Sequence, residues 1–458
     1  MKKITLLEKE FFANLLLNLK DKRAKENAEK LISKIISEKR IQLWHISTDK
    51  REYERFHNLI NGNLVNVLDV EKMNENLLIN SLSRLSGELR VFVIYDGSDI
   101  RKPESEKLEN LGLVRDLDGK FVRGYQTMNC VMIDNQTGTL KLLNCQPYSN
   151  NDPKFVSEKE LKLYEKGKLT DEKRRLEIEE NLETEDNYNS KQIIRQQILK
   201  VHNKIKETNP EIVIIHVLDR GFDSEGIFNL IEELGDKFVI RFKSNRTSNE
   251  KIEDENGKEY NLKLHAKTFE NEQELKYEKI CFKKKTYFDA TAKYQWESIL
   301  LSGKVYHVVK IIFRGKKGEK IFKDPMMLIT NYNISNFEMA QYVCQIYQQR
   351  PKIEGVFKFL KDVMGWETFQ LQDYKSIMNL ICLTFFIGAY FYELEDEITK
   401  NETVAWICKL GKGKGKISKH YFMRGLAELL KVTEFEIFRK ENNITDEQIQ
   451  YAKDHFLL

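Results

Sequence analysis

Four polar side chains between Tyr347 and Lys361 have a spacing that could do chemistry. In the stretch YQQRPKIEGVFKFLK, Tyr347, Arg350, Glu354 and Lys361 recur among apolar residues. On one continuous helix the last three fall at roughly −60°, −20° and −40° from Tyr347, so all four share a stripe. Val356, Phe359 and Leu360 point elsewhere and can pack. A carboxylate flanked by a phenol, a guanidinium and an ammonium suits a metal-bound phosphate. The same stripe also fits a solvated face laced with salt bridges. Pro351 lies inside the stripe, removes one helical N–H and is expected to kink the helix.

Two further acids fall at the ends of β-rich runs. Asp96 is in LRVFVIYDGS (89–98) and Asp219 in EIVIIHVLDRG (211–221). Alone, either is ordinarily read as a strand-end aspartate that begins a turn, and only their joint placement with Glu354 points to catalysis. Of their neighbours, Asp99 is read as a turn residue beyond the strand, and Asp223 as the N-cap of the next helix. Asp96, Asp219 and Glu354 together are hard oxygen ligands that suit Mg²⁺ or Mn²⁺ and not zinc. Two such ions about 3.5–4 Å apart can clamp the attacking and leaving oxygens of a phosphodiester.

The elements that must position these residues follow from periodicity. Residues 5–40 read as helix, opened by a Thr5–Glu8 capping box. Strands are expected at 89–98, 124–134 and 139–149, the last two forming a hairpin. An exposed connector (150–190) and an amphipathic helix (191–210) lead to a strand at 211–221, a helix at 223–235 and a strand at 237–245. This β-β-β-α-β-α-β order is the ribonuclease H-like plan, in which the first and fourth strands lie side by side. The expected fold class is therefore α/β: a ribonuclease H-like catalytic core with a β-rich insertion, flanked by helical N- and C-terminal regions. The expected boundaries are a helical DNA-binding region at 1–85, the core at 86–245, the insertion at 246–330, the rest of the core at 331–394, and a helical C-terminal region, suited to dimerisation, at 395–458. Ser335–Glu338 reads as a second capping box that opens the long helix bearing the tetrad.

The chain's 458 residues, 41% hydrophobic, can fill several cores. With 75 Lys+Arg against 71 Asp+Glu it is no polycation, so nucleic-acid binding would rest on local basic patches. Six scattered cysteines form no CxxC, which argues against a zinc ribbon or redox pair and for buried free thiols. The acids at Glu8 and Glu10 break any signal-peptide apolar run. The apolar run 377–392 is shorter than a span needs and reads as a buried helix. GKGKGK (411–416) lacks the Ser/Thr of a phosphate-binding P-loop and reads as a DNA-backbone contact or a free loop. His216, inside an apolar strand, reads as a core histidine.

The tetrad Tyr347-x2-Arg350-x3-Glu354-x6-Lys361 resembles the Tyr-Arg-Glu-Lys signature of the insertion-sequence 4 family of bacterial DDE transposases. YDGSDIRKP (95–103) and LDRGFDS (218–224) resemble the regions around that family's first and second aspartates, and LITNY (328–332) is similar as well. The resemblance runs in order from roughly 90 to 395. It implies cut-and-paste DNA transposition. Asp96, Asp219 and Glu354 would be catalytic and hold two Mg²⁺ ions, with Mn²⁺ as a substitute. Water would nick the transposon end, and the freed 3′-hydroxyl would attack the opposite strand to give a hairpin and later join target DNA. Tyr347, Arg350 and Lys361 would contact DNA phosphates. Trp296, with Trp366 as second candidate, would stack on a flipped base, although a core position is the commoner reading for each. The implied partners are terminal inverted repeats, target DNA and a second copy of the chain. The implied location is the cytoplasm of a bacterium, at the nucleoid, with no membrane. Two rival readings are a catalytically idle, transposase-derived DNA-binding protein and a ribonuclease H-like nuclease.

Overall fold

The computed structural model describes residues 19–61, 67–83, 90–184, 187–243, 246–253, 259–282, 285–393 and 402–456; the expected capping box at Thr5–Glu8 lies outside them. Among the described residues four helices precede the first strand: α1 (Lys22–Glu38), α2 (Leu43–Ile46), α3 (Lys50–Ile60) and α4 (Val70–Leu82). Asp21, Asp49 and Asp69 cap α1, α3 and α4 by accepting first-turn N–H groups, each contributing about 1 kcal/mol.

Next come β1 (Arg90–Arg101), β2 (Gly112–Arg115), β3 (Phe121–Asp134), β4 (Leu140–Tyr148), α5 (Glu158–Glu165), α6 (Glu172–Glu183), α7 (Ser190–Thr208), β5 (Val213–Leu218), α8 (Glu225–Glu233) and β6 (Lys237–Arg241). The five expected strands are present. The four-residue β2 was too short to signal itself, and the stretch read as an exposed connector holds α5, opened by a Ser157–Glu160 capping box, and α6. The chain continues through β7 (Thr247–Glu253), β8 (Glu259–Lys263), β9 (Asn271–Phe282), β10 (Lys285–Leu301), β11 (Lys304–Arg314) and β12 (Met326–Thr330). It ends in α9 (Phe337–Tyr347), α10 (Lys352–Asp362), α11 (Tyr374–Glu393), α12 (Glu402–Leu410), α13 (Lys419–Glu441) and α14 (Asp446–Phe456).

One mixed sheet runs β2-β3-β1-β5-β6-β12-β11-β10-β9, with β4 paired to β3. β1, β5 and β6 are parallel at its centre, and the pairings on both sides are antiparallel. β9 to β12 therefore continue the sheet beyond β6, while β7 and β8 pair with each other.

Side-chain alternation divides β1 between two cores. Phe92 and Ile94 face the core shared with α1, α9, α10 and α11, whereas Val91, Val93 and Tyr95 face the core of α7 and α8. On β5, Ile215 and Val217 join the first core, and Ile214 and Leu218 the second. By the same parity Asp96 and Asp219 both project to the α9–α11 side. α11 is long and apolar enough to cross a membrane, but 94% of its apolar window is buried inside the protein, as expected of a core helix. Among the cysteines, Cys281 is exposed and the other five are buried, all as free thiols.

Candidate active site

β1 pairs with β5 from Arg90↔Val213 to Tyr95↔Leu218. Asp96 and Asp219 are the next residues on each chain, so neighbouring parallel strands deliver two carboxylates side by side. Asp96 does not end its strand, contrary to expectation: β1 runs on to Arg101 because β3 keeps pairing with it, and Asp99 is a strand residue facing Gln126. Asp219 directly follows β5 and opens a short 3₁₀ turn, Arg220–Phe222.

The helix carrying the tetrad is broken. α9 ends at Tyr347, and α10 starts at Lys352 behind Pro351, whose φ of −62° and ψ of −14° preset the first turn. Asn336, not Ser335, caps α9 by accepting the Met339 N–H at 3.0 Å. The straight-helix stripe is thus replaced by two short helices, with Arg350 in the turn between them.

From that turn Arg350 reaches all three acids. Its Nη2 donates to Asp96 Oδ2 at 2.6 Å and stands 4.0 Å from Asp219 Oδ2, and its Nη1 donates to Glu354 Oε1. The Tyr347 hydroxyl donates to Asp219 Oδ1 at 3.1 Å. Burial pushes the Asp96 carboxyl up to about 6; Arg350 pulls it down, while Asp219 and Glu354 add to the rise. Burial works against the Arg350 charge, but the three acids outweigh it and raise its pKa. Arg350 Nε is buried with no hydrogen-bond acceptor among the described residues, and Oδ1 of Asn129, which sits opposite Asp96 in the β1–β3 register, is buried with no donor. Polar capacity is left over here for a ligand.

Lys361 is not brought to the acids. It lies two turns further along α10, where its ammonium donates to the Asp99 carbonyl at 2.5 Å and pairs with Glu367 at 3.2 Å. Glu367 also holds Arg101, an anchor that sequence spacing did not reveal. Trp296 and Trp366 are buried. Trp296 packs on Phe337, at the opposite end of α9 from Tyr347 and about 15 Å away along the helix. Trp366 is fully enclosed, its indole N–H donating to the Ile381 carbonyl. Neither presents a ring face at the acids. Asp223 is no helix cap: Ser224 holds that place, and Asp223 is buried against Arg246 at 2.8 Å and the Lys243 N–H at 3.0 Å.

Behind the acids a polar chain links the two central strands. The Asp236 carboxylate accepts from His216 Nε2 at 3.0 Å and from His202 Nδ1 at 2.7 Å. Nδ1 of neutral His216 is then an acceptor for the Tyr95 hydroxyl at 3.0 Å. His216 is a core histidine, as expected, and its burial lowers its pKa against the pull of Asp236.

The donor set is all oxygen and suits a hard divalent cation. In the geometry present Arg350 is the cation among the carboxylates. No three His, Cys, Asp or Glu side chains among the described residues are spaced to share an ion.

Two acids from neighbouring strands and a third from a following helix thus meet around one cation, Arg350. Residues 195–389 match the family model described as Transposase DDE domain, which supports a DDE transposase acting on DNA. That family generally uses divalent metal ions. The matched span includes Asp219, Tyr347, Arg350, Glu354 and Lys361 and stops short of Asp96, whose place rests on the geometry. No curated protein matches the chain.

Proposed function

We propose that the chain is a cut-and-paste DNA transposase of the insertion-sequence 4 type, with a ribonuclease H-like core and Asp96, Asp219 and Glu354 as its catalytic acids. The observation that carries this reading is the convergence of three acids from three separate elements on Arg350. The acids would hold two Mg²⁺ ions, or Mn²⁺, which when bound supply the positive charge that phosphodiester cleavage and strand transfer require.

The chain's own residues do the rest. Arg350 neutralises the acids while DNA is absent. When a phosphate arrives, its planar fork can exchange carboxylate for phosphate oxygens and leave the acids to cations. Tyr347, released from Asp219, has a hydroxyl to donate to the same backbone. Lys361 supports the far end of α10, and on this reading it leaves Glu367 and the Asp99 carbonyl to contact a DNA phosphate. Terminal inverted repeats, target DNA, a second copy of the chain and the bacterial cytoplasm complete the reading, as does a hairpin intermediate. The base-stacking aromatic of that intermediate is neither Trp296 nor Trp366 in this conformation.

The test is incubation of the purified chain with a labelled linear duplex carrying the element's end, in Mg²⁺ or Ca²⁺, beside a Glu354→Ala variant. The expected result is a Mg²⁺-dependent nick that converts to a hairpin and is absent in the variant. Tight end binding without cutting in any metal would instead favour an idle, transposase-derived DNA-binding protein.

A further inference from the structure

We propose that a basic track leaves the acid cluster along α10 and enters a cleft between the end of α1, the glycine–lysine loop and α13, where it holds the sugar–phosphate backbone of duplex DNA away from the cut. The inference rests on the reading of the acids as a DNA-cleaving site and adds where the rest of that substrate lies.

The cleft measures about 680 Å³, and Lys39, Lys412, Arg424 and Lys431 line it against a single carboxylate, Glu428. Among the described residues no carboxylate forms an ion pair with Lys39, Lys412 or Arg424, and Lys431 approaches Glu38 only at 3.9 Å. These cations carry little internal compensation.

The alternation in GKGKGK gives the cations a fixed mount. A Cβ on Gly411 would lie 2.0 Å from the Tyr421 carbonyl oxygen, and one on Gly413 would lie 2.7 Å from that of Cys408. A Cβ on Gly425 would lie 1.8 Å from the Ile407 carbonyl oxygen. These glycines let the loop, α12 and α13 pack backbone to backbone. Gly411 and Gly413 are buried, whereas Lys412, Lys414 and Lys416 are exposed. The loop is therefore not free, and little conformational freedom remains to be lost when its lysines meet a ligand.

Lys358 joins the cleft to the acids. It is exposed on α10 one turn beyond Glu354, on the same face. His420, at the start of α13, lies within electrostatic reach of Arg424, Lys358 and Lys39; burial lowers its pKa first, those cations add to the fall and Asp362 opposes it. Cations from α1, α10, the loop and α13 thus line one path that starts at the acids. A path of separated cations suits a polyanion with regularly spaced charges, and lysine and arginine contacts to phosphate position a duplex without reading its sequence.

The test is the salt dependence of binding to a labelled duplex long enough to reach both acids and cleft. The combined variant is Lys39→Asn, Lys358→Gln, Lys412→Asn, Arg424→Gln and Lys431→Gln; asparagine keeps the left-handed backbone of Lys39 and Lys412. Each phosphate contact adds about 0.9 to the slope of log affinity against log salt, so the variant, with five cations removed, should lose about 4 to 5 from that slope. If the combined variant does not give the wild-type circular dichroism spectrum, the single variants Arg424→Gln and Lys358→Gln take its place, each expected to lose about 0.9. An unchanged slope in a folded variant, while the wild type binds, would overturn the track and leave the acid-site reading intact. An unchanged slope with loss of self-association in sedimentation would assign the cleft to a second copy of the chain and overturn the track as well. A wild type with no salt-dependent DNA binding would overturn both readings.

Discussion

Asp96 carries the strain of the candidate site. Its folded pKa of about 6 lies above the ordinary 3.8, so the native state holds a proton more tightly than the unfolded chain does. The sign follows: this group's contribution to stability is full below about pH 3.8 and is lost as pH rises through about 6. At neutral pH the ionised carboxylate then costs on the order of 2–3 kcal/mol, even with Arg350 beside it. Metal-free Asp96→Asn should gain on the wild type in urea unfolding as pH rises from 4 to 7, while losing cleavage; parallel stability profiles for the two proteins would refute this. At this scale the sequence was partly legible. Spacing picked out Tyr347, Arg350 and Glu354, since a repeat near 3.6 residues survives a one-turn break. It did not place Lys361 against Glu367, or bury Trp296 at the wrong end of α9, because both depend on which elements meet across the chain.

The elements hold the acids by backbone register. β1 and β5 stay in step over their parallel pairing, and the Tyr95–His216–Asp236 chain ties them on the face opposite the acids. His216 is held neutral, its pKa below the ordinary value of about 6.5. Its contribution is therefore full above about pH 6.5 and lost as pH falls. His216→Gln should flatten the acid limb of the thermal-unfolding profile, and an unaltered limb would show that this histidine does not set it. Where β1 crosses β3, Gly124 leaves no room for a side chain: a Cβ there would lie 2.3 Å from the Ile100 carbonyl oxygen. Gly124→Ala should destabilise the protein by about 1–3 kcal/mol, as overpacking does, whereas Gly138→Ala in the exposed β3–β4 turn should show only the strain of its positive φ. A tolerated Gly124→Ala would mean the strands part easily there. Strand and helix order was readable from hydrophobic periodicity. The Pro351 break was foreseen only as a kink, because a straight-helix projection cannot show that a turn would carry Arg350 into the acids.

On the scale of the whole molecule, one sheet joins what the sequence separates. Asp96 and Asp219 are far apart in the chain, and neighbouring strands make them adjacent. Glu354 arrives only after the sheet has been extended through β9 to β12. Residues 246–330 read as a separate β-rich unit because their strands alternate with charged turns, and local pattern does not say which edge a strand will join. The same limit hid the basic cleft, whose cations come from opposite ends of the chain. The family match covers the second aspartate and the glutamate but not the first aspartate, so Asp96 is where the account is most exposed. The most direct test is cleavage of labelled element-end DNA in Mg²⁺ by Asp96→Asn, Asp219→Asn and Glu354→Gln, with Asp99→Asn as the neighbouring control. The account predicts at least about a hundredfold loss of cutting for each of the three, wild-type end binding throughout, and near wild-type cutting by Asp99→Asn. Wild-type cutting by Asp96→Asn, or loss confined to Asp99→Asn, would contradict it.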